Sequence, residues 1–279
     1  MTVLTFSILL LIISYLAGLL GALTGLGGGV VLIPVLVLLF HVNIHYAMGA
    51  SLISVIATSS GTAIAYLREG YTNIRIGMFL EVGAVIGALV GAILVTIIPS
   101  GFIAIIFGLV LLFSAYLTWK RKEEIEAPSQ SSHSWAIFLR LHGSHPTADG
   151  YKAYNVQNVP LALAIMTMAG GLSGLLGIGS GALKVLAMDQ AMRLPYKVAT
   201  TTSNFIIGIT AAVSAGVYFS NGYIDPGLTF PVMIGVLLGA FMGAKILAKI
   251  HNSRLRIIFS IVVFGLALEM IYKGFTGNL

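Results

Sequence analysis

Residues 177–189 read GIGSGALKVLAMD, and 152 residues upstream, at 25–37, stands GLGGGVVLIPVLV. Each stretch opens with glycines at alternate positions (Gly25, Gly27, Gly29; Gly177, Gly179, Gly181) and passes directly into an apolar run. The spacing resembles a phosphate-cradling loop, yet the second run admits a single cation, Lys184, among apolar neighbours. The same register holds on both sides of the glycines. Ala17-Gly18 falls on Ala169-Gly170, and Ser51 and Thr58 fall on Ser203 and Thr210. Tyr66, Gly70 and Tyr71 fall on Tyr218, Gly222 and Tyr223, and Gly83, Gly87-Ala88 and Gly91-Ala92 on Gly235, Gly239-Ala240 and Gly243-Ala244. Small residues coincide easily in an apolar chain, but tyrosines and a serine in an ungapped register do not. The chain therefore reads as a duplication.

The medium follows from composition. Of 279 residues 58% are hydrophobic and 9% charged, with a mean hydropathy of +1.00, against about 25% charged in soluble domains. Apolar stretches of roughly 20 residues recur along the chain, the length a helix needs to cross a bilayer core. The alternating polarity of barrel strands is absent, and backbone groups in lipid must be satisfied internally, so the segments read as helices. The fold class is an all-α polytopic membrane protein of the cell (cytoplasmic) membrane. The first segment, 3–24, has no basic leader region before it and no small-residue cleavage site after it, and reads as a retained span. There is no cysteine, hence no disulfide or thiolate metal site. The net charge of +6 fits the basic bias of cytoplasmic loops and gives no indication of nucleic acid.

Each half holds five apolar segments: 3–24, 28–40, 47–67, 76–98 and 101–119, then 160–176, 180–190, 199–219, 228–249 and 254–272. The second of each set is too short to span, and reads as a broken or re-entrant helix started by the glycines. Loop charges orient the halves. In the first, Arg68 and Arg75 follow the third segment; in the second, Arg193 and Lys197 follow the second segment, Lys249, Arg254 and Arg256 follow the fourth, and only Asp225 follows the third. If basic loops mark the cytoplasm, the two repeats are inverted, a signature of secondary transporters. The organisation is a first transmembrane repeat at 1–119, a cytoplasmic linker at 120–159 and a second repeat at 160–279. Within the linker, two alternating aromatic-containing runs around a Gly/Pro/Asp-rich stretch predict a small β-hairpin.

A helix that starts inside a membrane exposes unpaired N–H groups and its positive dipole end, and preceding glycines let an anion approach them. Lys184, in the first turn of the second short helix, opposes that dipole and costs about 2.5–3.5 kcal/mol on insertion. An anion in the site would offset both. The candidate substrate-binding set is therefore Lys184 with Gly27, Gly28, Gly29, Gly179, Ser180 and Gly181, plus the hydroxyl and amide groups of Ser51, Thr58, Ser203 and Asn204. No catalytic residue, metal ligand or cofactor is expected. The ligands implied are a small anion and the lipid bilayer, and the reading leaves open a homo-oligomer and a coupling proton or cation. Other readings of the same residues stand beside this one. Lys184 snorkels to a headgroup, the hydroxyls bond back to helix carbonyls, and the glycines serve helix packing. Glu81, Asp189 and Glu269 read as interfacial, near segment ends.

GLGGGVVLIP (25–34) and GIGSGALKVLAMDQAMRLPYKVATTTSNFIIGITA (177–211) resemble the TauE/SafE family of membrane transporters, associated with sulfite and organosulfonate export. The likeness covers nearly the whole chain, and Ser180 stands where a GxGGG motif has its middle glycine. The resemblance implies a small sulfur-containing anion, and the inverted repeats imply that it is moved by alternating access at a midplane site between them. A cation or metal-ion transporter, or a membrane-embedded enzyme, is the rival reading. The first would want carboxylates or histidines facing a pore, whereas the six histidines fall in loops and linker; for the second, HExxH, GxSxG and GxxxxGK[ST] are all missing.

Overall fold

The structure, a computed structural model, describes residues 3–24, 28–120, 134–147, 150–247 and 252–277. The first half contains α1 (Val3–Thr24), α2 (Gly29–Leu39), α3 (Ile44–Glu69), α4 (Ile74–Leu94) and α5 (Ser100–Lys120). The linker holds α6 (Ser134–Phe138), β1 (Gly143–Thr147) and β2 (Gly150–Tyr154). The second half contains α7 (Val159–Leu176), α8 (Gly181–Leu186) with a π-helical continuation at Ala187–Ala191, α9 (Tyr196–Ser220), α10 (Pro226–Leu247) and α11 (Asn252–Thr276). Five of these helices, α1, α4, α7, α9 and α10, carry windows long and apolar enough to cross a membrane. The protein is a polytopic, all-α membrane protein with one small sheet.

The helix register of the two halves organises the packing. The heaviest contacts pair α1 with α10, α4 with α7, α5 with α11 and α3 with α9. Exchanging each helix for its counterpart 152 residues away turns the first pair into the second and the other two into themselves. Small residues set the spacing in the exchanged pairs. A methyl group on Gly87 would collide with the Thr167 carbonyl oxygen and sit 2.8 Å from the Gly171 nitrogen; one on Gly239 would collide with the Tyr15 carbonyl oxygen and sit 2.8 Å from the Leu19 nitrogen. Water does not drive helices together inside lipid, so this backbone-to-backbone approach and its dispersion energy hold the pairs.

In two of the pairs equated by the register, α3 with α9 and α5 with α11, the helices run in opposite directions. The start of α3 lies beside the end of α9, where the Tyr223 ring meets His45 at 4.8 Å and Tyr46 at 6.2 Å between centroids. The start of α9 lies beside the end of α3, where the Asn73 amide donates to Thr202 Oγ1 (3.0 Å) and Lys197 Nζ sits 5.2 Å from the Tyr71 ring centre. In α5 and α11, Gly101 abuts Gly274 while Gly108 abuts Ala267, so these too are antiparallel. Arg75, Arg193, Lys197 and the linker thus share one face, and Asp225 lies on the other.

The linker differs in detail from the expected hairpin. The run expected as its first strand begins as α6, closed by Arg140 at φ 51° and by a Leu141 N–H bond to the Ala136 carbonyl (2.9 Å). The strands fall later, Gly143 pairing with Tyr154 and Thr147 with Gly150 in antiparallel register. The stretch expected as the turn is therefore largely β1. Alternation misleads here because the side-chain period of 2 in FLRLH meets no second strand to pair with. Tyr154 anchors the hairpin. Its hydroxyl accepts from Asn73 Nδ2 (2.7 Å), and Asn73 Oδ1 in turn caps α4 by accepting from the Ile76 amide (3.1 Å). Burial pushes the Tyr154 phenol above its ordinary range, against the pull of the Asn73 bond.

Candidate substrate site

The two halves meet where their glycine motifs pass into helices: a methyl on Gly29 would lie 3.5 Å from the Gly177 carbonyl oxygen. Ser51 Oγ, on α3, donates to the Gly177 carbonyl (2.8 Å), and its oxygen fills the space where a side chain on Gly29 would have to go. Gly177, Gly179 and Ser180 all take positive φ (68°, 72° and 48°), which L side chains resist and glycine does not. They fold the chain back on itself between α7 and α8. Gly179 also packs tightly, since a methyl there would lie 2.8 Å from Ile207 Cδ1. On the other half Ser203, the register partner of Ser51, donates to the Gly181 carbonyl (3.3 Å).

Lys184 points into the protein interior. It is fully buried, and its Nζ donates to Glu81 Oε2 of α4 (3.2 Å) and to Thr210 Oγ1 of α9; Thr210 Oγ1 donates in turn to Glu81 Oε1. Glu81 is 2% exposed. This corrects the reading of Glu81 as a group at a segment end: it lies seven residues into α4, about 10 Å along the helix from its start, and is buried against its partner. The three groups close a ring in which each carboxylate oxygen accepts one bond, the hydroxyl both accepts and donates, and the ammonium uses two of its three donors. Such a pair resists separation, since removing either charge strands the other in a medium that solvates it poorly. Asp189 is half-buried and Glu269 exposed.

The ring has no copy. Its register equivalents are Leu32, which is fully buried, Thr58 and Met233. Thr58 bonds back to the Ser54 and Val55 carbonyls (3.0 and 3.1 Å), the ordinary use of a threonine inside a helix.

On another side of α8 a cavity opens against α2 and α5. It is lined by Val30, Val110, Ser114, Ile178, Ser180, Gly181 and Leu183 and is small, about 10 Å³, room for a single water. Ser180 Oγ is buried in its wall with no hydrogen-bond partner among the described residues. An unpaired buried hydroxyl costs about 1–3 kcal/mol, which one water in the cavity would recover.

The candidate residues therefore divide. Ser180, Gly181 and, one turn on, Lys184 surround the start of α8; Gly29 and Ser51 bring the first half against it. Gly28 faces elsewhere, since a methyl there would meet Val236 Cγ1 of α10 at 3.0 Å, which is packing. The Asn204 carbonyl accepts from Ser59 Oγ (2.6 Å) and ties α9 to α3. Gly27 lies outside the described residues. Glu81 and Thr210 belong to the centre although the sequence does not place them in the candidate set; Thr210 is visible as the partner of Thr58, whereas Glu81 is joined to Lys184 only by packing.

The match of the chain to known proteins agrees with this architecture. It is 28% identical over 276 residues to the probable membrane transporter protein YunE of Bacillus subtilis, covering 96% of this chain and 98% of that protein. It is 24% identical to a probable membrane transporter protein of Xylella fastidiosa, covering 94% and 92%, and 24% identical to MJ0441 of Methanocaldococcus jannaschii, covering 94% of each. No solved structure matches the chain. Residues 10–270 match the family model described as sulfite exporter TauE/SafE, so the chain belongs to the TauE/SafE family of membrane transporters.

Proposed function

We propose that the protein is a secondary transporter for a small anion, sulfur-containing by family, which binds at the start of α8 between two inverted repeats. One observation carries the anion: a lysine fully buried inside the apolar slab, held by a carboxylate and a hydroxyl that supply what an incoming oxyanion would supply. In this reading Glu81 is an internal stand-in for the substrate. A sulfite or sulfonate oxygen takes its place on Lys184 Nζ. The antiparallel α3/α9 and α5/α11 pairs support inverted repeats, and the basic face with the hairpin is the cytoplasmic one by loop charge.

Two measurements test the reading. Cysteines placed at Arg75 and Lys197 in intact cells label from the cytoplasm and one at Asp225 from outside; labelling of Lys197 and Asp225 from the same side overturns the inverted arrangement. Uptake and release of sulfite, thiosulfate and methanesulfonate by protein in liposomes identify the cargo. In the paired variant Lys184→Met/Glu81→Gln, which keeps volume and removes both charges together, affinity for the transported anion falls roughly tenfold to a hundredfold, the worth of a charge-assisted hydrogen bond. Wild-type binding in a folded paired variant would remove Lys184 from the site.

A further inference from the structure

We infer that Glu81 is the proton site of an obligatory, electroneutral proton–anion symport, in which one proton on its carboxyl crosses together with one anion on Lys184. The inference rests on the anion-site reading above and goes on to coupling and stoichiometry.

As the structure stands, the ring holds one ammonium and one carboxylate and is neutral. An anion arriving on Lys184 with Glu81 still ionised makes the site −1; a proton arriving on Glu81 with no anion makes it +1. Both states place a net charge inside the bilayer, costing at least about 2.5–3.5 kcal/mol on insertion scales, so each is populated roughly a hundredth as often as a neutral one, or less. Only the empty ion pair and the doubly loaded site, with Glu81 protonated and the anion on Lys184, are neutral. If only neutral states pass the midplane, proton and anion cross together.

Thr210 suits that joint loading. Its hydroxyl now accepts from the ammonium and donates to the carboxylate. When Glu81 is protonated its O–H becomes a donor, so the threonine oxygen accepts from it and the threonine hydrogen is released to turn toward the anion. No bond is made or broken except the O–H on Glu81, whose proton comes from and returns to water.

No other charge in contact offsets the ring. On α4 itself the other ionisable group is Arg75, exposed at its start; α7 carries none in its sequence. On α9, Tyr196 and Lys197 stand at one end and Tyr218, bonded to the Gly174 carbonyl (3.1 Å), toward the other. Asp189 sits in the π segment beyond Lys184, half-buried. Among the described residues the ionisable partner of Glu81 is Lys184. The register equivalents Leu32 and Met233 carry no charge, so one turnover moves one pair.

The test uses the full chain and methanesulfonate, a sulfonate that stays a monoanion from about pH 5 to about pH 9, so that any proton linkage belongs to the protein. Binding to wild type takes up one proton per anion, read with a pH indicator in weak buffer. Its affinity falls about tenfold per pH unit on the alkaline limb. In liposomes a pH gradient drives methanesulfonate uphill, while a potassium-valinomycin potential does not. Glu81→Gln, a neutral stand-in for the protonated acid, binds with no pH dependence and no proton uptake, and the anion raises its thermal midpoint more than that of wild type. Should this variant fail to fold, the wild-type proton count decides alone. Affinity flat with pH and no proton uptake, with binding still lost in Lys184→Met/Glu81→Gln, overturns the coupling and leaves the anion site standing. If sulfite, thiosulfate and methanesulfonate all fail to bind wild type, the site reading itself falls, and the coupling with it.

Discussion

Glu81→Ala is expected to destabilise the protein by about 3–5 kcal/mol, because it leaves the Lys184 ammonium buried without its counter-charge. Lys184→Met alone costs a similar amount for the opposite charge. The double variant Lys184→Met/Glu81→Gln, with two neutral groups of nearly the same volume, recovers most of the loss, so a double-mutant cycle of unfolding in detergent gives a large coupling energy. Equal stability in the two single variants and wild type would mean that water reaches the pair. The lysine read in isolation gives another forecast, that deleting its charge relieves an insertion cost and helps folding. The partner reverses the sign: the cost lies in separating the pair.

The second large effect is steric. Gly87→Val on α4 and its counterpart Gly239→Val on α10 drive a branched side chain into a facing backbone carbonyl, at Thr167 and Tyr15 respectively. Carbonyls cannot rotate aside as a side chain can, so each substitution must push a pair of helices apart along their length. The expected loss is about 3 kcal/mol or more, the upper end for overpacking, seen as a fall in the monodisperse fraction on size-exclusion chromatography. Gly216→Ala, where no atom lies within 4 Å of the added methyl, is the control, and gains up to about 1 kcal/mol from reduced backbone freedom. Equal losses at Gly87 and Gly216 would show that helix propensity, not contact, sets the penalty.

Legibility follows from the range of each signal. The spans are readable because hydropathy is local and lipid allows helices only, and the observed helix limits lie within a few residues of the apolar segments. The second glycine turn is readable because alternate glycines before a helix have few structural uses. Glu81 escapes such a reading because its position on α4 gives only its depth. What makes its burial tolerable is a lysine 103 residues later, brought near by helix packing that no local pattern encodes. Ser51 and Ser203 do lie at the centre, though both serve there as ties between backbone segments. The first linker run fails as a strand for a related reason: alternation signals a strand only where a second strand is available.

The pairing of α1 with α10 and of α4 with α7 also bears on how the chain is made. Ribosomes extend a chain at about 5–20 residues per second. The partner of α1 begins only at Pro226, so the first helix, with its glycine-notched flank, waits in the bilayer for roughly 10–40 seconds after it emerges. Through that interval the notch is open to lipid or to any helper protein that recognises small-residue grooves. A nascent chain that stalls inside the second half leaves a half-built molecule with this surface bare, and membrane quality control has its signal there.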